Sequence, residues 1–377
     1  MIFYTHIYLT MGILKFSQTF GAVRTVKFKD LKGKRVSVDV MTELYRAALG
    51  AKSTHALTDH NGNPTMHINV LLSVMINMQQ NNINSIWVFD YDPTGDKSKQ
   101  FHNPAKALEL AKRNERKRKA QAKIKKIQLD DMFTDSDEEE EAINKLNKQT
   151  FSANRAMIND VKLMLNCLGI TWVEAPSGIE GEQLASYLSK VGLVDGVYSS
   201  DTDPIGFGAK TLWRKNSRDK KIYEYTQESV FNEISHHKAE PTMDDFLKIC
   251  AILGCDFCEK TPRVGPKTVL KKFETIKLTT EQLKAIEAFK KPIDLANVIY
   301  HNKDNLAFKH CLHSDLLNWL VIERSFSRER IEKQLAKVIN LSTGELVKQA
   351  VKPKKKAKSK IVKAYSKPPK KGQKKKS

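Results

Sequence analysis

Long apolar runs are missing from this chain: nothing approaches the roughly 20 consecutive apolar residues of a membrane-spanning helix, so no such span is expected. Cysteine is scarce and odd in number, five in 377 residues at positions 167, 250, 255, 258 and 311. A fully paired disulfide framework is thereby excluded, and a reducing compartment is expected. Cys255 and Cys258 have no second pair with which to complete a structural zinc site. No glycine-rich nucleotide loop occurs. The first ten residues lack the basic start and small-residue cleavage site of a secretory signal, and Phe16 stands where a myristoylation signal starting at Met11 needs Ser or Thr.

Acidic residues are the minority, 43 against 64 Lys and Arg, for a net charge of +21. More than half of that excess lies between Lys352 and Lys376, which contain thirteen lysines and no acid. Such a segment is expected to be a disordered polycation that binds DNA by releasing counterions, directs nuclear import, or does both. The opposite pole is Asp135-Ser136-Asp137-Glu138-Glu139-Glu140-Glu141, read as a solvated disordered loop. With 40% hydrophobic residues the rest can bury a sizeable core.

Four short apolar runs each end in a carboxylate: Val36 to Asp39, Ile86 to Asp90, Ile170 to Glu174, and Gly196 to Asp203. Runs of this length separated by helix-like segments read as buried parallel strands, giving an α/β fold with helices on both faces of a mostly parallel sheet. Ligands of such sheets bind beyond the carboxyl ends of the strands. A single Asp there is commonly a turn residue or a helix N-cap. Here there is company: Glu180 and Glu182 stand at the start of a helix expected over Gln183 to Lys190, Asp201 and Asp203 repeat the two-apart spacing, and Asp256 follows a helix-like segment from Met243 to Leu253. Asp39, Asp90, Glu180, Glu182, Asp201, Asp203 and Asp256 in one pocket would repel strongly unless protonated or neutralised by cations. Oxygen ligands without a His or Cys set favour Mg²⁺ or Mn²⁺ over Zn²⁺.

Two Mg²⁺ would still leave such a pocket net negative, and a phosphodiester substrate then needs a cationic counterpart. The segment from Lys106 to Lys119 supplies one, rich in strong helix formers. Lys106 and Arg113 are seven apart, about 10 Å along one helical face, and Arg116 and Lys117 extend the stripe. The alternative is a solvated basic helix in which Glu109 pairs with Arg113. Lys97, in the long loop after Asp90, rivals Lys106, but the spacing to Arg113 favours Lys106.

Taken in order, these pieces resemble the flap endonuclease/XPG family of structure-specific 5′ nucleases, from Met11 to about Val338. The resemblance is carried by Met11-Gly12-Ile13, Val38-Asp39, Val88-Phe89-Asp90, the helix of Lys106, Ala175-Pro176-Ser177 with Glu180-Gly181-Glu182, Ser200-Asp201-Thr202-Asp203, Leu253-Gly254-Cys255-Asp256, Val264-Gly265-Pro266-Lys267 and Phe326-Ser327-Arg328. It implies a central sheet of the PIN/5′-nuclease kind, two metals about 4 Å apart and in-line displacement leaving a 5′-phosphate. Asp39, Asp90, Glu180 and Glu182 would surround one metal, and Glu182, Asp201, Asp203 and Asp256 the other. Lys106 and Arg113 match the family's catalytic basic pair, and Tyr45 the aromatic that stacks on a nucleobase. Arg116, Lys117, Gly254, Gly265 and Lys267 would meet DNA, and Gly12 would lie close to the active site.

The resemblance also implies segments: a nuclease region over 11–103, a helical arch over 104–154, a second nuclease region with a helix-hairpin-helix over 155–275, a helical region over 276–345 and a basic tail over 346–377. Within the helix-hairpin-helix, Arg263 stands where the family has the first Gly of Gly-x-Gly, and an L-residue disfavours positive φ, so a changed backbone is expected. Gly178-Ile179 is similar to bacterial and phage members, and the loop insertions to versions carried by large DNA viruses. Met1 to Thr10 precede the family's start, so translation from Met11 is expected. The expected substrate is branched or flapped DNA, the cofactor two Mg²⁺ replaceable by Mn²⁺, the state monomeric, and the place the nucleus, a host nucleus if viral, or the cytoplasm. The tail contains no sliding-clamp motif. Alternatives are a bubble or four-way-junction nuclease, action on RNA-primed ends, and a DNA-binding scaffold without chemistry.

Overall fold

Seven strands form one sheet: β1 (Arg24–Val26), β2 (Arg35–Asp39), β3 (Asn84–Phe89), β4 (Thr171–Glu174), β5 (Gly196–Ser199), β6 (Thr211–Lys215) and β7 (Ile222–Thr226). Their spatial order is β1-β7-β6-β5-β2-β3-β4. This computed structural model describes residues 12–49, 58–91, 104–130, 137–216, 219–306 and 313–339, all within a compact unit spanning Met1–Val347. The expected positions of Met1 to Met11, Lys97, Cys311 and the lysine tail lie outside the described residues.

The pairs β2–β3, β2–β5, β3–β4 and β5–β6 are parallel, and β6–β7 and β1–β7 antiparallel. From β2 the chain proceeds outward to β3 and β4, then returns to β5 on the other side of β2 and moves outward again to β6. The reversal puts a topological switch between β2 and β5, where such sheets bind ligands. Both faces are covered, as continuous apolar runs in parallel strands require. Val36, Val38, Trp87 and Phe89 enter one core cluster, while Val88, Val173 and Val197 enter another on the opposite face. Each such side chain contributes about 1.5–3 kcal/mol by its burial. Ser37, between Val36 and Val38, is fully buried and donates its hydroxyl to the Ala185 carbonyl at 2.8 Å.

The helices are α1 (Phe16–Thr19), α2 (Val40–Leu49), α3 (Met66–Gln80), α4 (Pro104–Asp130), α5 (Asp137–Thr150), α6 (Arg155–Cys167), α7 (Gly181–Lys190), α8 (Gln227–Ser235), α9 (Met243–Leu253) and α10 (Pro266–Lys272). They continue with α11 (Thr280–Lys290), α12 (Leu295–His301), α13 (Lys303–Leu306), α14 (His313–Asn318) and α15 (Arg328–Leu335). α9 starts at Thr242, whose hydroxyl accepts the Asp245 N–H while the Asp245 carboxylate accepts the Thr242 N–H, a reciprocal cap. Helices α4 and α5 pack against each other. Residues 137–141, expected as loop, begin helix α5.

The C-terminal helices are tied to the sheet domain by Arg324, which bridges Asp59 at 3.2 Å and Asp160 at 2.6 Å. Asp160 in turn holds His67 at 3.0 Å. Burial opposes ionisation of Asp59, but hydrogen bonds from Asn63, Asn61 and Arg324 win and hold its carboxyl at about 2. Cys167 is disulfide-bonded, which a reducing compartment does not lead one to expect. No helix among the described residues is long and apolar enough to cross a membrane.

Candidate metal centre and nucleic-acid interface

Asp39 ends β2 and caps α2: its Oδ1 accepts the Met41 N–H at 3.0 Å and the Thr42 N–H at 3.4 Å, and Thr42 also donates its hydroxyl to Oδ2. The N-cap reading and the pocket reading therefore hold together at one residue, which is 3% exposed. Asp90 follows β3, and its Oδ1 accepts the N–H of Gly181 at 2.7 Å. Glu180 stands at the N-cap position of α7 without bonding the helix through its side chain, and Glu182 lies in the first turn. Asp201 and Asp203 follow β5, with Asp201 Oδ1 accepting the Thr202 N–H at 2.5 Å. Asp256 comes from the turn after α9 and accepts the N–H of Gly12 at 3.0 Å.

Oxygen atoms of Glu182, Asp201 and Asp203 all lie within 4.8 Å of one another. Glu182 Oε1 and Asp203 Oδ1 are buried without a hydrogen-bond partner. Burial, reinforced by Asp90, raises Asp39 to about 7; burial, reinforced by Asp256 and Asp39, raises Asp201 to about 7. Burial followed by the charge of Asp201 also pushes Glu182 and Asp203 well above the usual carboxylate range. Glu182 further feels Asp203, Asp39 and Asp256, and Asp203 feels Asp256 and Glu180. Glu182, Asp201 and Asp203 thus form the centre of the cluster; the charges of Asp39 and Asp256 bear on it, that of Asp90 on Asp39 and that of Glu180 on Asp203. Buried acceptors without donors, in an all-oxygen set, fit a hard divalent cation.

Gly12 is placed where only a glycine fits. Its φ is +79°, and a Cβ there would stand 1.9 Å from Asp201 Oδ1 and 2.6 Å from Asp203 Oδ1. Glu174, the acid ending β4, is not in the pocket: it pairs with Lys162 and lies 3.8 Å from His301. Thr42 and Gly181, which hold Asp39 and Asp90 in place, were not singled out from the sequence. The hint was there, in a hydroxyl three residues after Asp39 and a glycine between two glutamates.

Lys106 and Arg113 lie on α4, two turns apart along its backbone. Arg116 is exposed and Lys117 half-buried on the same helix. Tyr45 is half-buried on α2, its ring edge-on to Phe151 at 5.4 Å. Gly254 is buried, with φ +89° and its carbonyl accepting the Leu14 N–H at 2.9 Å, and a Cβ there would stand 2.8 Å from the Lys260 backbone nitrogen. Gly265 precedes α10 in open space, and Lys267 is exposed at the start of that helix. The changed backbone expected at Arg263 does not occur: its φ is +63°. The turn keeps its left-handed residue and accepts a strain of about 1 kcal/mol.

Residues 10–120 match the family model described as XPG N-terminal domain, and residues 169–256 the XPG I-region. Flap endonuclease 1 of Saccharolobus solfataricus is 30% identical over 345 residues, covering 85% of this chain and 94% of that protein. In structure, flap endonuclease-1 from Methanococcus jannaschii superposes with a TM-score of 0.57 at 23% identity, covering 86% of this chain and 97% of that one. The catalytic core of Rad2 in complex with DNA substrate gives 0.55 at 18% identity, covering 86% and 99%. The mostly parallel sheet flanked by helices is the 5′-nuclease fold of these neighbours. The chain belongs to the flap endonuclease/XPG family of structure-specific 5′ nucleases.

Proposed function

We propose that the seven-carboxylate pocket holds two Mg²⁺, replaceable by Mn²⁺, and that this chain uses it to hydrolyse DNA phosphodiesters where a 5′ single strand meets duplex. The observation that carries the reading is the buried pair of unsatisfied oxygens, Glu182 Oε1 and Asp203 Oδ1, among acids that raise one another's pKa. Asp39, Asp90, Glu180 and Glu182 would hold one ion; Glu182, Asp201, Asp203 and Asp256 the other. When bound, two such ions supply a lowered water pKa and a clamp on the attacking and leaving oxygens.

The protein's own groups do the positioning. Thr42 and the α2 amides fix Asp39, and the Gly181 amide fixes Asp90, so neither carboxylate reorganises as charge develops. Lys106 and Arg113 on α4 would stabilise the scissile phosphate, and Arg116 and Lys117 would track the neighbouring strand. Tyr45 would stack on the base beside the scissile bond. Gly265 and Lys267, at the start of α10, would hold a duplex phosphate without reading sequence. The helices α4 and α5 would form the arch over a free 5′ end. DNA is the partner supported by the Rad2 core, solved with a DNA substrate; branched or flapped DNA is the form this chain would take. The chain would act as a monomer in replication or repair, in the nucleus, where the lysine tail adds a sequence-independent grip.

The test is single-turnover cleavage of a 5′-labelled double-flap DNA with Mg²⁺ or EDTA, comparing wild type with Asp201→Ala. Metal-dependent incision at the junction, lost in the variant, is expected. Binding without incision would shift the reading to a non-catalytic scaffold, and incision only of bubbles or four-way junctions would change the substrate.

A further inference from the structure

Cys255 and Cys258 flank Asp256 and have no part in the chemistry above. Their backbones close a two-residue turn: the Cys255 N–H donates to the Cys258 carbonyl at 3.1 Å, and the Cys258 N–H to the Cys255 carbonyl at 3.2 Å. They are therefore the hydrogen-bonded pair of an antiparallel bridge, with Cα atoms about 5.5 Å apart. That separation lies inside the range of about 4.4–6.8 Å that disulfides span. The two Sγ atoms are 3.7 Å apart and already in hydrogen-bond contact. Both are free thiols on half-buried side chains, whereas Cys250 is fully buried.

We propose that Cys255 and Cys258 form a redox-active dithiol that closes to a disulfide across the Asp256 turn and, in closing, weakens the metal pocket. This rests on the reading of Asp256 as a metal ligand. The oxidant is a small-molecule disulfide. One protein sulfur attacks it, forming a mixed disulfide and releasing one small thiol; the second protein sulfur then attacks the first, releasing the other small thiol. Two protein S–H bonds and one small-molecule S–S bond are lost, one protein S–S and two small-molecule S–H bonds are formed, and two electrons pass from protein to oxidant.

The direction of the effect follows from the turn. Cβ atoms of directly opposed residues in such a pair sit about 5 Å apart, while a disulfide needs about 3.8 Å. Closure draws the ends of the turn together and moves the carboxylate between them, which is tied to Gly12 at 3.0 Å. The same mismatch makes the bond easy to reduce, so the change is reversible.

The experiment treats the full-length protein with oxidised glutathione, maps its disulfides by mass spectrometry, and measures Mn²⁺ binding by calorimetry before and after, with dithiothreitol reversal. We expect a Cys255–Cys258 disulfide and a Mn²⁺ dissociation constant raised at least about threefold, both undone by reductant. Cys258→Ser should bind Mn²⁺ equally under both treatments. Failure of the Cys255–Cys258 disulfide to form overturns the proposal, as does a mapped disulfide with unchanged Mn²⁺ affinity. Absence of Mn²⁺ binding to the reduced wild type would instead overturn the metal reading itself, and this proposal with it.

Discussion

The N–H of Gly181 donates to Asp90 Oδ1 at 2.7 Å, joining the first residue of α7 to the carboxylate that follows β3. The contact needs glycine for lack of room. A Cβ at residue 181 would lie 3.0 Å from Asp90 Oδ1 and 3.1 Å from the Phe89 carbonyl carbon. Gly181→Ala should therefore displace Asp90 by a few tenths of an ångström and lower the single-turnover cleavage rate about tenfold. Circular dichroism should show the fold retained. A variant as fast as wild type would mean that Asp90 needs no such fixing.

Glu182 sits within 4.8 Å of both Asp201 and Asp203, with one buried oxygen unsatisfied. Glu182→Gln should cut cleavage at least about 100-fold while flap-DNA affinity, measured by fluorescence anisotropy in Ca²⁺, changes little. Near-normal turnover would remove Glu182 from the metal assignment.

The buried acids make a signed prediction for the metal-free protein. Asp39 and Asp201 reach about 7 when folded, above the roughly 3.9 of an unfolded chain. Between those values the folded state holds more protons, so the stability these groups contribute is full below about pH 4 and lost as pH rises through about 7. In EDTA, Tm should fall by about 5 °C or more between about pH 5 and about pH 8. Saturating Mg²⁺ should remove most of that fall, because the ions take the place of the protons. A Tm that rises over this interval in EDTA would contradict the account.

Arg324 serves two carboxylates, Asp59 and Asp160, whose side chains are 0% and 9% exposed. Arg324→Ala leaves both without their cation and should cost about 3 kcal/mol in urea unfolding. A loss under about 1 kcal/mol would show that water readily replaces the guanidinium.

Removal of residues 352–377 takes away thirteen lysines. Affinity for flap DNA should fall and its dependence on salt should flatten, with the single-turnover rate at saturation unchanged. An unaltered salt slope would exclude the tail as a DNA contact.

The sequence determined the parallel strands, because their apolar runs must be buried on both faces whatever packs there. It also placed Asp39, Asp90 and Asp201 just at or after the carboxyl ends of the neighbouring strands β2, β3 and β5. Helix α9 was legible to the residue, as Thr242 and Asp245 form a local cap that needs no tertiary partner. The strands β1, β6 and β7, joined to one another by antiparallel pairs, were not foreseen, their apolar alternation being short and the β1–β7 pairing set by distant chain. Only the tertiary structure showed what Glu174, left out of the seven acids, does instead, for its partners Lys162 and His301 come from α6 and α12. Only it showed that Arg263 keeps a left-handed backbone, a local cost sustained by the surrounding turn. Residue type and spacing state which chemistry is available, but which carboxylates lose their water, and so repel one another enough to require cations, is a property of burial that many separate segments create together.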